Sequence, residues 1–572
     1  MKTIIHCLLL AGLFATCQPP EPTPQAVRYP PLAMCAIRGA EVDALAEITE
    51  PVPFYEGLGE LRFDITSNSA EAKRYFLQGY KLANAFNHLE AARSFRYAAQ
   101  LDPECAMCYW GLAYALGPNY NATMDPAAVP MAYEAIGKAR QLMGNTTPQE
   151  QAIIAATAKR YNDDPASDRA GLDEQYALAL KDAWTQFPDD LNIGALYAEA
   201  LMNLHPWDIW QRDGSPHPWT AEILQVLENI LAKDPKNIVA NHMYIHATEA
   251  SNEPQKALIS AKRLGGLAPG AGHLVHMPSH TYIRTGDYHL GSVANLEAIL
   301  VDSAYLAMNH AGGPYPLAYF PHNYHFLAAT AALEGNSAMA IEASIRMARQ
   351  IDTVAMRDPA LYTLQHYRYV PLFTLVKFKK WDDILAFPKP AADLLYPITV
   401  WRYARGMAFL GKGDLEGARA ELASLNLMKN DPQLKDITIW AINHAGDIAN
   451  IAANVLEGSL ASREKNMDKA VELLRQAVAI EDQLKYNEPP DWFFSVRHEL
   501  GNALLAAGRY QEAQEVFEAD LKVFPKNGWA LNGLTASLEG QKKSDEAKAA
   551  RARFEEAWQY ADVELEGAGV KL

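Results

Sequence analysis

Apolar and small residues recur along most of this chain at intervals of three and four, the spacing of one helix face, in paired stretches separated by short turns. A 34-residue unit organises the pairs, with a small residue at position 8, a turn near 15, Ala near 20, a bulky apolar residue near 24 and Pro at 32. Gly79, Ala91, Phe95, Ala98 and Pro103 fit the unit near the start of the array, and Gly501, Gly508, Ala513, Phe517 and Pro525 fit it near the C-terminus. Gly406, Gly413, Ala418 and Leu422 mark another unit, and Trp529 and Gly533 begin a last one. The pattern predicts an all-α chain of helix–turn–helix pairs. One pair cannot bury its apolar face alone, so stacked pairs share a continuous core. They form a right-handed superhelix whose concave side is lined by the first helix of each pair.

The period divides the chain. Residues 1–17 read as a signal peptide, 18–70 as a Pro-rich linker followed by an irregular N-terminal cap, 71–465 as a divergent repeat array, and 466–572 as more regular repeats. Three insertions interrupt the array: GPNYNATMDPAAVP (117–130), LHPWDIWQRDGSPHPW (204–219) and AYLAMNHAGGPYPLAYFP (304–321). They are rich in Pro, Gly, Asn and aromatic residues and read as loops. They are longer than a repeat array needs, and either fold over the concave groove as lids or cover core exposed at irregular repeats.

The divergent array carries an unusual histidine pattern. His242 and His276 stand 34 positions apart, as do His246 and His280, so one helix face presents histidine twice. With Pro269 at position 32, the first helix of that unit starts at Ile238 and puts His242 at 5, His246 at 9 and Glu249 at 12. In the next unit His273, His276 and His280 take 2, 5 and 9; in the one after, His322 and His325 take 2 and 5. These positions form one stripe, predicted to face the groove. Less regular units add Cys105, Cys108, Glu199 and His366 to the same stripe.

At this point a resemblance is visible. The run AFNHLEAARSFRYAAQLDPECAMCYWGLAYALGPNYN, followed by NLHPWDIW, HMYIHATEAS, GHLVHMPSHTYIRTGDY and PHNYHFLA, resembles bacterial, often exported, tetratricopeptide repeat (TPR) proteins. The signatures span most of the chain from about Arg74 to Gly335. The resemblance implies a TPR superhelix and no particular activity.

The stripe's chemistry suggests a transition-metal site. Imidazole is a common ligand for Zn, Cu, Fe and Ni, and two His four apart on a helix present nitrogens to one ion. His242, His246, Glu249, His276, His280, His322 and His325 are the candidate ligands. His273, Glu199, Cys105, Cys108 and His366 are candidates for the surrounding groove. Adjacent helices sit about 8–10 Å apart, so ligands from neighbouring units can converge. Seven histidines over three units imply two ions, or some histidines outside the ligand set. Zn, Cu or Fe would fit, and the site would suit a metal-dependent oxidoreductase or hydrolase. Met243 follows His242 where a zincin has Glu, and Tyr109 follows Cys108 where a haem site has His, so neither motif is present. The competing reading is an exported scaffold that binds a protein, a peptide or a small molecule in the groove. The stripe's near-absence of Lys and Arg counts against a carboxylate clamp.

Charge and leader narrow the partners. A net charge of −17 disfavours nucleic acid. MKTIIHCLLLAGLFATC is too short to span a membrane and ends on Cys17 before QPPEPTPQ, which predicts export to the periplasm or cell surface. Lipidation of Cys17 would anchor the chain, although the Phe14-Ala15-Thr16 box departs from the usual lipoprotein signal and a plain secretory cut is the alternative. Of the remaining thiols, Cys105 and Cys108 either bridge or bind metal, and Cys35 is a further candidate for pairing.

Overall fold

A computed structural model of the protein describes residues 33–46, 48, 51–309 and 313–571; the leader and Cys17 lie outside the described residues. Helices pair as the period predicts. Ala70–Asn84 packs on His88–Leu101, Phe320–Leu333 on Ser337–Gln350, Leu395–Gly411 on Leu415–Met428, and Gly528–Gly540 on Ser544–Ala557. Position 8 is small for a steric reason: a Cβ on Gly79 would collide with the Phe95 ring, and one on Gly501 with the Phe517 ring. Both rings are fully buried, each stabilising its pair by about 1.5–3 kcal/mol. Ser69, Asn237 and Asn336 cap their helices by accepting backbone N–H bonds. Gly286 and Gly335 fall at turn position 15 with φ of 77° and 82°, a left-handed conformation that favours glycine. The chain is thus a TPR-type helical-hairpin solenoid.

Three features depart from a plain solenoid. The N-terminal segment after Val52 is extended and runs along several repeats rather than capping one end. Its backbone or side chains bond Gln78 from Tyr55, Gly270 from Gly57, Asn192 from Arg62 and Glu150 from Thr66. Phe63 then inserts edge-on between Phe76, Tyr80 and Trp110. The third insertion is only partly a loop: the helix Tyr288–Asn309 continues through its first residues, and Tyr315–Tyr319 is a π-helical turn leading into Phe320–Leu333. Apolar Tyr305 and Leu306 extend the preceding helical face, which explains the longer helix.

The third departure is closure. Repeats usually touch only their neighbours, yet the last repeat returns to the middle of the array. The Trp529 indole N–H donates to the Ala332 carbonyl at 2.8 Å, and the Tyr288 hydroxyl donates to Pro525 O at 2.8 Å. The Asp562 carboxylate accepts from the backbone N–H groups of Ser337 and Ala338 at 2.7 and 2.9 Å, at a helix N-terminus where an anion is favoured. The C-terminal repeats therefore hold the helix that carries His322.

Candidate functional site: a buried histidine chamber

Four helical segments build the site. Ile238–Glu249 carries His242, His246 and Glu249, all buried. The first helix of the next unit breaks at Met277, because Pro278 lacks an N–H and starts a new helix there. His273 and His276 lie before the break and His280 after it. Phe320–Leu333 contributes His322.

The structure brings six rings together: His242, His246, His273, His276, His280 and His322. Neighbouring ring centroids are 5.0 Å apart for His242–His246, 5.5 Å for His246–His280, 4.9 Å for His276–His280 and 4.9 Å for His276–His322. A cavity of about 20 Å³ lies among them, bounded by His246, His273, His280 and His322. That is room for one water-sized ligand. All three insertions reach it: Asn121, Trp207 and Tyr319 line its wall, with Trp440 and Glu488 from later loops. A larger cleft of about 250 Å³ lies away from the histidines, between Phe373, Tyr403 and Trp492.

Hydrogen bonds fix which nitrogen four of the six rings present. His242 Nδ1–H donates to the Asn84 carbonyl at 2.9 Å. His276 Nδ1–H donates to Asn295 Oδ1 at 2.6 Å, and the Asn295 amide is itself oriented by donating to Gly291 O at 2.8 Å. Glu249 accepts from two rings, His246 Nδ1–H at 3.0 Å and His280 Nδ1–H at 2.5 Å. The Nε2 atoms are left to face inward. His276 Nε2 and His280 Nε2 approach to 2.9 Å, His242 Nε2 and His273 Nε2 to 3.1 Å, and His246 Nε2 is buried with no partner.

Electrostatics follow from burial. Loss of water, then the neighbouring rings, holds His242, His273, His276 and His322 well below the ordinary imidazole value, so they stay neutral with free lone pairs. Burial alone would raise the Glu249 carboxyl, but the His280 and His246 imidazoles against it prevail and hold it down to about 2. Glu488 is pushed well above the carboxylate range by burial and by the Glu249 charge.

Three aromatic residues at the chamber adopt left-handed backbone conformations: Phe86, Trp207 and Trp440, with φ of 57°, 57° and 54°. For a bulky side chain that conformation is strained, by about 1–3 kcal/mol each, and such strain gathers at functional sites. Here it presses Phe86 against His242 at 4.7 Å, and carries Trp207 and Trp440 onto the cavity wall.

The other sequence candidates lie elsewhere. Cys105 and Cys108 are disulfide-bonded to each other, so they are not thiolate ligands. A helix N-terminus brings the two cysteines, three residues apart, to a Cα separation of 5.4 Å, within bridging range. Bridges of this kind persist in oxidising compartments. Cys35 is buried as a free thiol. Glu199 accepts the Tyr114 hydroxyl at 2.5 Å instead of facing the chamber. His325 turns away from the six rings: it stacks on Phe493 at 5.3 Å and meets His366 at 5.5 Å, and His366 Nδ1 bonds the Tyr396 hydroxyl at 2.8 Å. Glu488, Asn84, Asn295 and Phe86 were not legible from the repeat period, since none sits on the predicted stripe. The only signal for Glu488 was the paired prolines that follow it.

His366 offers a pH test. Burial holds it down to about 3, against about 6.5 in the unfolded chain. Below pH 6.5 the unfolded chain therefore binds a proton that the fold refuses, and stability is lost as pH falls toward 3, by about 1.4 kcal/mol per pH unit. His366→Gln removes this penalty. The variant's stability relative to the wild type is expected to improve by about that slope between pH 6.5 and 4.5 in urea titrations. A difference independent of pH would contradict it.

No family model matches the sequence, and no curated protein matches it. Among solved structures it is similar to a chain of the APC/C hetero-tetramer Cut9–Hcn1, at 15% identity over 91% of this chain and 79% of that one, with a TM-score of 0.28. It is similar also to the human IFIT1 dimer with m7Gppp-AAAA, at 11% identity over 90% and 93% of the two chains and a TM-score of 0.31. Yeast Tom70 matches at 12% identity over 86% and 92%, with a TM-score of 0.26. Scores this low carry no argument about function. On its own helix pairs, turn glycines and packed position-8 contacts, the chain is a TPR-type solenoid with a histidine chamber in its core.

Proposed function

We propose that the protein binds transition metal in the histidine chamber, through the inward Nε2 atoms of its imidazoles. One observation carries the reading. His276 Nε2 and His280 Nε2 are 2.9 Å apart while the Nδ1–H of each ring is already given to an acceptor. Two lone pairs pointed at each other repel, and a cation between or beside them removes the repulsion. A metal ion accepts both lone pairs at about 2.0–2.1 Å with little ring rotation. The unpartnered His246 Nε2 supports the same reading, because a buried nitrogen without a partner costs about 1–3 kcal/mol.

The donors suit Zn or Cu best, being imidazoles without thiolates. Glu249, a candidate ligand by sequence, fits better as the group that orients His246 and His280, since both its oxygens are engaged by their Nδ1–H atoms. A peptide in the same stripe is disfavoured. Trp207 and Trp440 roof it and leave about 20 Å³.

Full-length protein, stripped with chelator, given Zn(II) and desalted, is expected to retain at least one equivalent by elemental analysis. The His276→Ala, His280→Ala double variant is expected to retain less than the wild type. Wild-type protein that keeps no metal would end the reading.

A further inference from the structure

Resting on that reading, we propose that the chamber is a dinuclear centre. One ion is held by His242, His246 and His273, and a second by His276, His280 and His322.

Three independent observations divide the histidines in this way. First, histidine nitrogens within 4.8 Å of one another form two all-histidine triads with no residue in common, and a third set, His246, Glu249 and His280, joins one ring of each through the shared carboxylate. Second, each triad stands on its own phenylalanine. Phe86 lies 4.7, 5.7 and 4.9 Å from His242, His246 and His273. Phe326 lies 4.9, 4.5 and 5.0 Å from His276, His280 and His322. An apolar floor under each set fixes the ring planes and leaves the nitrogens to point away from it. Third, Glu249 gives one oxygen to each triad, Oε1 to His246 and Oε2 to His280. A single carboxylate thus orients one ligand of each ion.

The space between the triads names the ligand class. The cavity of about 20 Å³ is bounded by His246 and His273 of one triad and by His280 and His322 of the other. Ring centroids across the divide are 5.5 Å for His246–His280 and 6.0 Å for His273–His276. Each ion has three protein ligands and one direction open to the same water-sized space. A bridging water or hydroxide, or a diatomic molecule of similar size, is what fits there, and two ions flanking one small ligand is the geometry of two-metal activation. Three imidazoles per ion without a thiolate suit a Cu or Zn pair, with Cu bound more tightly by the usual affinity order.

The test is stoichiometry on the full chain. Chelator-stripped protein is titrated with Zn(II) alone, and separately with Cu(II) alone, then desalted and analysed. The wild type is expected to hold two ions. His273→Ala and His322→Ala, which leave the Glu249 contacts in place, are each expected to hold one. A wild type that holds one ion, lost in both variants, overturns the pair while leaving a mononuclear site standing. A wild type that holds none removes both readings, and two ions in both variants overturns the ligand assignment. Should a variant fail to fold, X-ray absorption on the loaded wild type decides: a second metal within about 4 Å is expected, and its absence overturns the proposal.

Discussion

Glu249→Gln is expected to lower metal affinity by about 10–100-fold at each ion it serves, without unfolding the protein. The substitution keeps the shape and removes one acceptor. In the native site both carboxylate oxygens take an Nδ1–H, from His246 at 3.0 Å and His280 at 2.5 Å. The glutamine amide offers one oxygen and one NH2. Whichever ring meets the NH2 must shift its proton to Nε2 or rotate, and either change withdraws a lone pair from the ion. The lost negative charge adds to this, because the carboxylate is buried against both rings. Competition against a chromophoric chelator, with circular dichroism to check the fold, measures the effect. An affinity within threefold of the wild type would mean that Glu249 does not orient the ligands. Glu249→Ala tests the same contact less cleanly. It leaves two buried N–H groups without acceptors, at about 1–3 kcal/mol each, and so risks the fold as well.

The stripe at positions 2, 5, 9 and 12 was legible because it depends on two periodicities alone, the helix repeat and the 34-residue unit. Ile238 does begin a helix, and Gly286 and Gly335 do make the predicted turns. What failed was the assumption that every unit continues the same curve. His325 takes position 5 of its unit, as His242 and His276 do of theirs, yet it faces His366. His322, one turn earlier, is the ring that meets His276 and His280. The preceding unit is distorted, by the break at Pro278 and the π-helical turn at Tyr315–Tyr319. Sequence spacing cannot report that distortion. Nor could it report the groups that orient the rings. Asn84 contributes a main-chain carbonyl and Phe86 a strained turn conformation, and neither has a side-chain pattern to find. The insertions were ambiguous for a similar reason. Their composition predicts irregular chain, and only the packing places Trp207 and Tyr319 on the chamber wall.

Closure of the array is the feature least visible in the sequence, and Trp529→Ala is the substitution that tests it. Trp529 occupies the start of the last repeat's first helix, where an ordinary solenoid would bury it against the preceding repeat only. Here it is fully buried between Phe378 and Trp558, with Lys377 Nζ 3.9 Å from its ring and its N–H on the Ala332 carbonyl. Truncation to Ala is expected to cost about 3–5 kcal/mol, the range for a large aromatic removed from a packed core. The loss should fall on both sides of the contact. Ala332 lies in the last turn of the helix that carries His322, so amide exchange is expected to quicken in Phe320–Leu333 as well as in the last repeat. Trp529→Phe separates the two contributions. It keeps most of the apolar volume and loses only the N–H, and the Ala332 carbonyl still accepts from the Gly335 N–H, so a smaller loss of about 0.5–1.5 kcal/mol, that of one hydrogen bond, is expected. Urea midpoints and hydrogen exchange read both variants. A loss under about 1 kcal/mol for Trp529→Ala, in the range of surface substitutions, would show that the last repeat does not lock the array. The histidine helices would then be held by their own neighbours alone.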